Sequence, residues 1–410
     1  MNNRKIKLSL YVNYFVFAIL LNSVGAVILQ VRRNFDVSES AASLLEGFKD
    51  LPIAIASFLL ASFLPKFGLK RAMLTGLALV TLGCFVMPFT DGFWYFKVLF
   101  LIIGVSFALI KVTVFATIGL VTDDSKEHSS FMSSLEGFFM VGVLLGNVLF
   151  SLFIDDLNPK STYWLNVYWI LGALSLVALG LLLVSPLDES SAKLESRSVN
   201  EDFLAMLKLV ILPLVGLFVL SVFLFVLIEQ SFQTWTPSFY QDILKVPTSM
   251  SIQAGAVLAG AFAVGRFGAG FLLKKIHWFK VVAACLIGCA VLVSLSLPLS
   301  KGLTITENVG WFNAPLVAYL FPMMGIFLSP IYPAINSVIL SSLPKHMHSS
   351  MSGLIVVFSA LGGTTGSIIT GNLFEHFDGQ TAFYMSLIPM GIMLLILWLF
   401  NKKLKGNSLA

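Results

Sequence analysis

Long apolar runs alternate with short polar breaks along the whole chain, and one longer polar stretch interrupts them at the centre. A bilayer hydrocarbon core needs about 20 apolar residues per spanning helix. Runs of that length lie at about 9–31, 41–64, 72–90, 94–120, 130–154, 163–185, 207–233, 249–273, 278–299, 313–342, 350–374 and 381–400. This pattern predicts an all-α membrane protein with twelve transmembrane helices, called spans 1 to 12 here. The polar stretch PLDESSAKLESRSVNEDFLAM (186–206) separates span 6 from span 7. Two pseudo-symmetric six-helix bundles are therefore expected, 1–185 and 207–410, joined by a cytoplasmic linker, 186–206. A weak internal echo supports the duplication: FLPKFGLKR (63–71) follows span 2 much as FLLKKIHWFK (271–280) follows span 8. Parallel halves of this kind mark a large class of secondary transporters that bind substrate near the membrane midplane.

Composition agrees with a membrane solvent. The chain is 57% hydrophobic and 11% charged, with mean hydropathy +0.91, whereas soluble domains carry about 25% charged residues. The net charge of +5 carries no nucleic-acid signal, because the basic residues sit at helix ends and not on one patch. Cys84, Cys285 and Cys289 fall inside spans 3 and 9 and suggest neither a disulfide framework nor a zinc site. Lys66, Lys70, Arg71, Lys126, Lys193, Arg197, Lys274, Lys275, Lys280, Lys345, Lys402 and Lys403 lie on the side that holds both termini. The other side has only Arg32, Arg33, Lys97, Lys160, Lys245 and Lys301. The excess of positive charge places the termini in the cytoplasm. The basic N-terminus runs into a long apolar segment without a small-residue cleavage site, which reads as span 1 and not as a signal peptide. Short loops and compact length point to a bacterial inner membrane.

The 6+6 plan with a polar central loop resembles the major facilitator superfamily over nearly the whole chain. The loop after span 2, Ala61-S-F-L-P-K-F-G-L-K-Arg71, is similar to that superfamily's signature G-x-L-a-D-r-x-G-r-k at Lys66, Gly68, Lys70 and Arg71. The usual acid is Pro65 and the first glycine is Ala61. GRFGAG (265–270) resembles the glycine-rich segment of the superfamily's span 8. EQSFQTWTPSFY (229–240) and FLSPIYPAINS (327–337) look like segments of the fucose–proton symporter branch. That branch's acid in span 4 is absent from ALIKVTVFAT (108–117), and its span 1 aspartate is absent as well, where this chain offers Asn13 and Asn22. The resemblance implies a transporter and not an enzyme. The fucose branch implies a sugar carried with protons.

Charges at membrane depth are the candidate chemistry, because each costs about 2.5–3.5 kcal/mol to insert and so faces a partner or a cavity. Glu46, Lys49 and Asp50 are spaced i, i+3, i+4 and share one face of span 2. At 1.5 Å per residue, Asp50 lies about 13 Å inside the membrane, at a depth similar to Lys111 of span 4. These four residues are expected to form an ion-coupling charge network, or else a structural ion pair. Glu136 of span 5 and Arg266 of span 8 share a depth in the cytoplasmic half, which suggests an inner gate. Glycines in 137–146 favour close helix approach, with span 8 as the candidate neighbour.

Candidate substrate contacts are Asn22, Glu229, Gln233, Trp235, Tyr332 and Asn336. Amides beside aromatic rings suit a hydroxyl-rich ligand, although Trp also belongs at membrane interfaces. Glu229 is read as lying near the outer end of span 7. Pro330 and Pro333 are expected to break span 10, with Tyr332 and Asn336 flanking the break. GGTTG (362–366) reads as a packing or hinge segment. No glycine loop followed by Lys-Ser/Thr is present, which argues against ATP-driven transport. The histidines sit at loops or helix ends, so no metal or other cofactor is expected. The expected coupling ion is a proton, with sodium as the other candidate, since carboxylates serve both. The expected partners are a small-molecule substrate and the lipid bilayer, with no nucleic acid, and the protein is expected to be a monomer. The leading expectation is symport of a sugar or sugar-like metabolite by alternating access. The alternatives are an amino acid or organic anion as substrate, or export of lipid or drug on the same scaffold.

Overall fold

The apolar runs fold as helices, and no strand occurs among the described residues. The computed structural model describes residues 4–122, 125–158, 160–189, 210–273, 275–301, 309–342 and 348–407. Most of the central linker lies outside that set. So do the side chains of a few helical positions, Lys66 and Glu136 among them.

The first half contains α1 (Arg4–Asn22), α2 (Val24–Asn34), α3 (Glu39–Phe67), α4 (Leu69–Val86), α5 (Phe93–Val121), α6 (Ser125–Ser151) and α7 (Val167–Val184). The second contains α8 (Pro213–Asp242), α9 (Thr248–Leu272), α10 (Trp278–Leu299), α11 (Val317–Leu320), α12 (Met324–Leu328), α13 (Ile331–Ser342), α14 (His348–His376), α15 (Gly379–Met385) and α16 (Leu387–Asn407). Among the described residues, ten segments are long and apolar enough to cross a membrane. Spans 2 and 5 correspond to α3 and α6, which are 29 and 27 residues long and carry charged side chains. Large apolar residues such as Leu82, Phe89, Val264, Phe267 and Leu395 are exposed on these helices. Hydrocarbon, not water, is the solvent that suits them.

The chain divides into two compact units, Met1–Val37 with Leu45–Glu201, and Ser38–Leu44 with Asp202–Ala410. Within each unit the helices cross at small residues, as expected where lipid removes the usual hydrophobic drive for association. A Cβ on Gly142 or Gly146 of α6 would meet Phe15, Ala18 and Ile19 of α1. The glycine face of span 5 thus packs on span 1 of its own unit. In the second unit, a Cβ on Gly362 or Gly366 of α14 would strike the α8 backbone at Phe223 or Leu227.

Three segments differ from the sequence expectation, each for a local reason. Span 1 is interrupted at Ser23, whose backbone stays near-helical (φ −75°, ψ −11°). Around it, Asn22 Nδ2 donates to Ala18 O (2.9 Å) and Ser23 Oγ to Leu20 O (2.8 Å). Lys49 Nζ donates to Leu21 O (3.3 Å). Side chains that compete for helix carbonyls loosen the ladder. Span 7 was expected to end at 233 but continues through Pro237 to Asp242, with Trp235, Phe239 and Tyr240 fully buried along the extension. That packing outweighs the hydrogen bond lost at proline. Span 10 breaks at Ser329–Pro330, as expected. It also breaks between Leu320 and Met324, around Pro322, while Pro333 sits in the first turn of α13. A first-turn N–H has no intrahelical partner to lose, so proline is tolerated there.

Candidate functional site

In the first unit, α3 places Glu46, Lys49 and Asp50 on one face. Glu46 is fully buried and Lys49 is 6% exposed. The Lys49 ammonium pairs with Glu46 in a short contact and lies 3.5 Å from Asp50 Oδ1. Two carboxylates thus share one ammonium. The same ammonium donates to Leu21 O, which ties the charges to the interruption of span 1. Close backbone packing fixes the height of the cluster, because a Cβ on Gly104 of α5 would strike the Lys49 carbonyl. Asn22 lies beside that interruption, half-buried, with its amide on Ala18 O. Lys111, on α5, is half-buried, and its ammonium lies 5.8 Å from the centroid of the Phe107 ring.

In the second unit, Arg266 Nη2 lies 3.9 Å from Glu229 Oε1. The Arg266 side chain is 36% exposed and that of Glu229 13%. Glu229 lies near the middle of the 30-residue α8, not near its end as the shorter expected span implied. Arg266, expected opposite Glu136, is therefore placed beside an acid of its own unit. The Glu136 side chain lies outside the described residues. The Tyr332 hydroxyl is 3.2 Å from Ser359 Oγ of α14, and its ring is 5.7 Å from Phe225 of α8. Tyr332 also lies within electrostatic reach of Glu229 and Arg266. Asn336 stands beside the same hydroxyl, and its Oδ1 is fully buried without a hydrogen bond of good geometry. Glu229, Arg266, Tyr332 and Asn336 therefore form one polar cluster. Sequence reasoning missed Ser359, because a lone serine in an apolar helix carries no signal of its own.

Gln233 is half-buried on α8, one turn beyond Glu229. Trp235 is fully buried, its ring lies 5.0 Å from that of Phe374, and its indole N–H donates to Ser367 Oγ (3.3 Å). Among the described residues no group of His, Cys, Asp and Glu is arranged to hold a metal ion.

Helices of this length and apolarity mark a multi-pass membrane protein. The chain belongs to the Major Facilitator Superfamily, whose family model matches residues 10–364 and 302–408. It is 22% identical over 404 residues to the protein TsgA homolog of Buchnera aphidicola subsp. Acyrthosiphon pisum (strain Tuc7), covering 97% of this chain and 96% of that one. Among solved structures, it resembles a bacterial homolog of the human lysosomal transporter Spinster, with TM-score 0.73 and 13% identity over 98% of this chain and 97% of that one. It also resembles a variant of the E. coli fucose:proton symporter FucP, with TM-score 0.62 and 17% identity over 96% of this chain and 98% of that one. At these identities the solved structures establish a shared fold.

Proposed function

We propose that this transporter moves a small polar metabolite, a sugar or sugar-like molecule, by proton-coupled symport and alternating access. The observation that carries the reading is the sharing of Lys49 by Glu46 and Asp50 on one face of α3. One ammonium balances one carboxylate, so the second acid is free to take up and release a proton as the cluster rearranges. Asp50 is the more accessible of the two acids, with its side chain 15% exposed against a fully buried Glu46, and we assign the exchange to it. Lys111 belongs to the same half of the charge network. Glu136 and Arg266 are the proposed gating residues. Glu229, Gln233, Tyr332, Asn336 and, in the first unit, Asn22 are the proposed substrate contacts. They offer both donors and acceptors, as a polyhydroxyl ligand requires. The likeness to a fucose:proton symporter supports the same substrate class. The protein would act as a monomer in a bacterial inner membrane with both termini in the cytoplasm. A second reading, an amino acid or organic anion, is favoured by the partly exposed Arg266.

The test is transport in proteoliposomes with labelled L-fucose and D-xylose, under an imposed pH gradient or a sodium gradient. Asp50→Asn is expected to abolish accumulation driven by the pH gradient while counterflow exchange persists. Equal accumulation by the variant and the native protein would sink the coupling assignment. A response to sodium alone would move the coupling to that ion.

A further inference from the structure

Span 1 is interrupted where a charge from its neighbour reaches it. A helix that ran on through Ser23 would give the Leu20 carbonyl to the Val24 N–H and the Leu21 carbonyl to the Gly25 N–H. Here Ser23 Oγ donates to Leu20 O (2.8 Å) and Lys49 Nζ to Leu21 O (3.3 Å). Beyond the interruption, the Val27 N–H donates to Ser23 O (2.9 Å). Lys49 is buried, and the same ammonium serves Glu46 and Asp50 of α3. One cation therefore answers to two kinds of acceptor: the acids of its own helix and a carbonyl of the next. Asn22, half-buried, stands between Leu21 and Ser23.

The charges around this ammonium are few. Those within reach of Lys49 are Asp50 and Glu46, and those within reach of Asp50 are Lys49 and Glu46. Between Lys7 and Arg32, span 1 carries no charged residue. The neighbouring α5 packs on the Lys49 backbone through Gly104, and its charged residues are Lys97 and Lys111. Their ammonium groups lie over the rings of Phe48 (5.9 Å) and Phe107 (5.8 Å). The acid pair thus sets the balance of pulls on Lys49. A carboxylate that takes up a proton releases its hold, and the ammonium turns to its remaining acceptors, Leu21 O among them. A carboxylate that loses the proton draws the ammonium back toward α3 and leaves Leu21 O to the Gly25 N–H. We propose that Lys49 is a positioning residue: it holds span 1 open at Ser23 and carries each change of charge in the acid pair to Asn22, a proposed substrate contact. The proposal rests on reading the acid pair as the proton-exchanging site, and it names how that exchange is felt in span 1.

The experiment is hydrogen–deuterium exchange of the purified full chain in detergent, followed by mass spectrometry on peptides covering 20–28. Protection is corrected for the intrinsic pH dependence of exchange and compared with that of α10, in the other unit. In the native protein, protection of this segment is expected to be about three- to tenfold lower at acidic than at alkaline pH, the worth of one backbone hydrogen bond. In Lys49→Met, Leu21 O returns to the Gly25 N–H, so protection should reach or exceed the native alkaline level and stay flat with pH. A lysine with a merely structural role predicts the reverse, a loss of protection in the variant. Lys49→Arg, which keeps a cation and its donors, should restore the pH response. Equal protection of the native protein at both pH values overturns the proposal without any variant, so a misfolded variant does not shield it. A pH response that survives in Lys49→Met also overturns it and leaves the transport reading standing. A response that persists in Asp50→Asn but is lost in Lys49→Met supports the proposal and moves the exchange to Glu46, which sinks the assignment of coupling to Asp50.

Discussion

Replacing Lys49 by methionine is the sharpest test of how the first unit holds its charges. The substitution keeps most of the side-chain volume and removes the ammonium that Glu46, Asp50 and Leu21 O share. Glu46 is then a fully buried carboxylate that has lost its cation. Breaking a buried pair from one side costs about 3–5 kcal/mol, because the partner's desolvation is no longer offset. The Leu21 carbonyl loses a donor as well. In a unit of this size each kcal/mol lowers Tm by about 2–4 °C, so Lys49→Met should lower it by roughly 6–20 °C. The assay is thermal unfolding of the purified protein in detergent, followed by the loss of monodisperse material on size exclusion. The control is the double variant Lys49→Met with Glu46→Gln, which removes the orphaned charge and should restore more than half of the lost Tm. A single variant as stable as the native protein would refute the reasoning. So would a double variant no better than the single one, since either result would mean that the ammonium does not compensate Glu46.

Two further perturbations probe the scaffold. Gly366→Ala puts a Cβ about 2.9 Å from Leu227 C and Cα; overpacking of this kind costs about 1–3 kcal/mol, so Tm should fall and transport weaken, and a neutral result would show that α8 and α14 slide apart easily. Glu189→Ala removes the carboxylate that accepts hydrogen bonds from the Leu69 and Lys70 N–H groups (2.9 and 2.8 Å) at the start of α4. The expected loss is about 1 kcal/mol, smaller for Glu189→Gln, and measurable by the same unfolding assay.

Much of this architecture was legible in the run of apolar residues, since a spanning helix in lipid must satisfy its own backbone. The spacing of Glu46, Lys49 and Asp50 already placed them on one face. Irregular backbone was harder to read. Nothing at Ser23 marks a break, because its causes include an ammonium 28 positions away in sequence. Pro237 looks like a helix terminator until the burial of Trp235, Phe239 and Tyr240 is known. The same burial gives Trp235 packing contacts that its amide-rich neighbourhood in the sequence does not suggest. Its true neighbours, Phe374 and Ser367, lie more than a hundred residues along the chain.

The clamp at Glu189 bears on how signatures are searched for in such chains. Read as a string, the loop after span 2 is defective, with Pro65 where the acid belongs. In space, negative charge does reach the helix that follows, from a residue 120 positions downstream. In return, Lys70 Nζ donates to the carbonyls of Leu183 and Ser185 at the end of α7 (3.0 and 2.7 Å). The requirement is thus met by a pair of distant segments and not by a contiguous word. Positions 65 and 189 should therefore covary across related chains, with an acid at one relaxing the need for an acid at the other. A one-residue deletion within 185–189 should register at the start of α4.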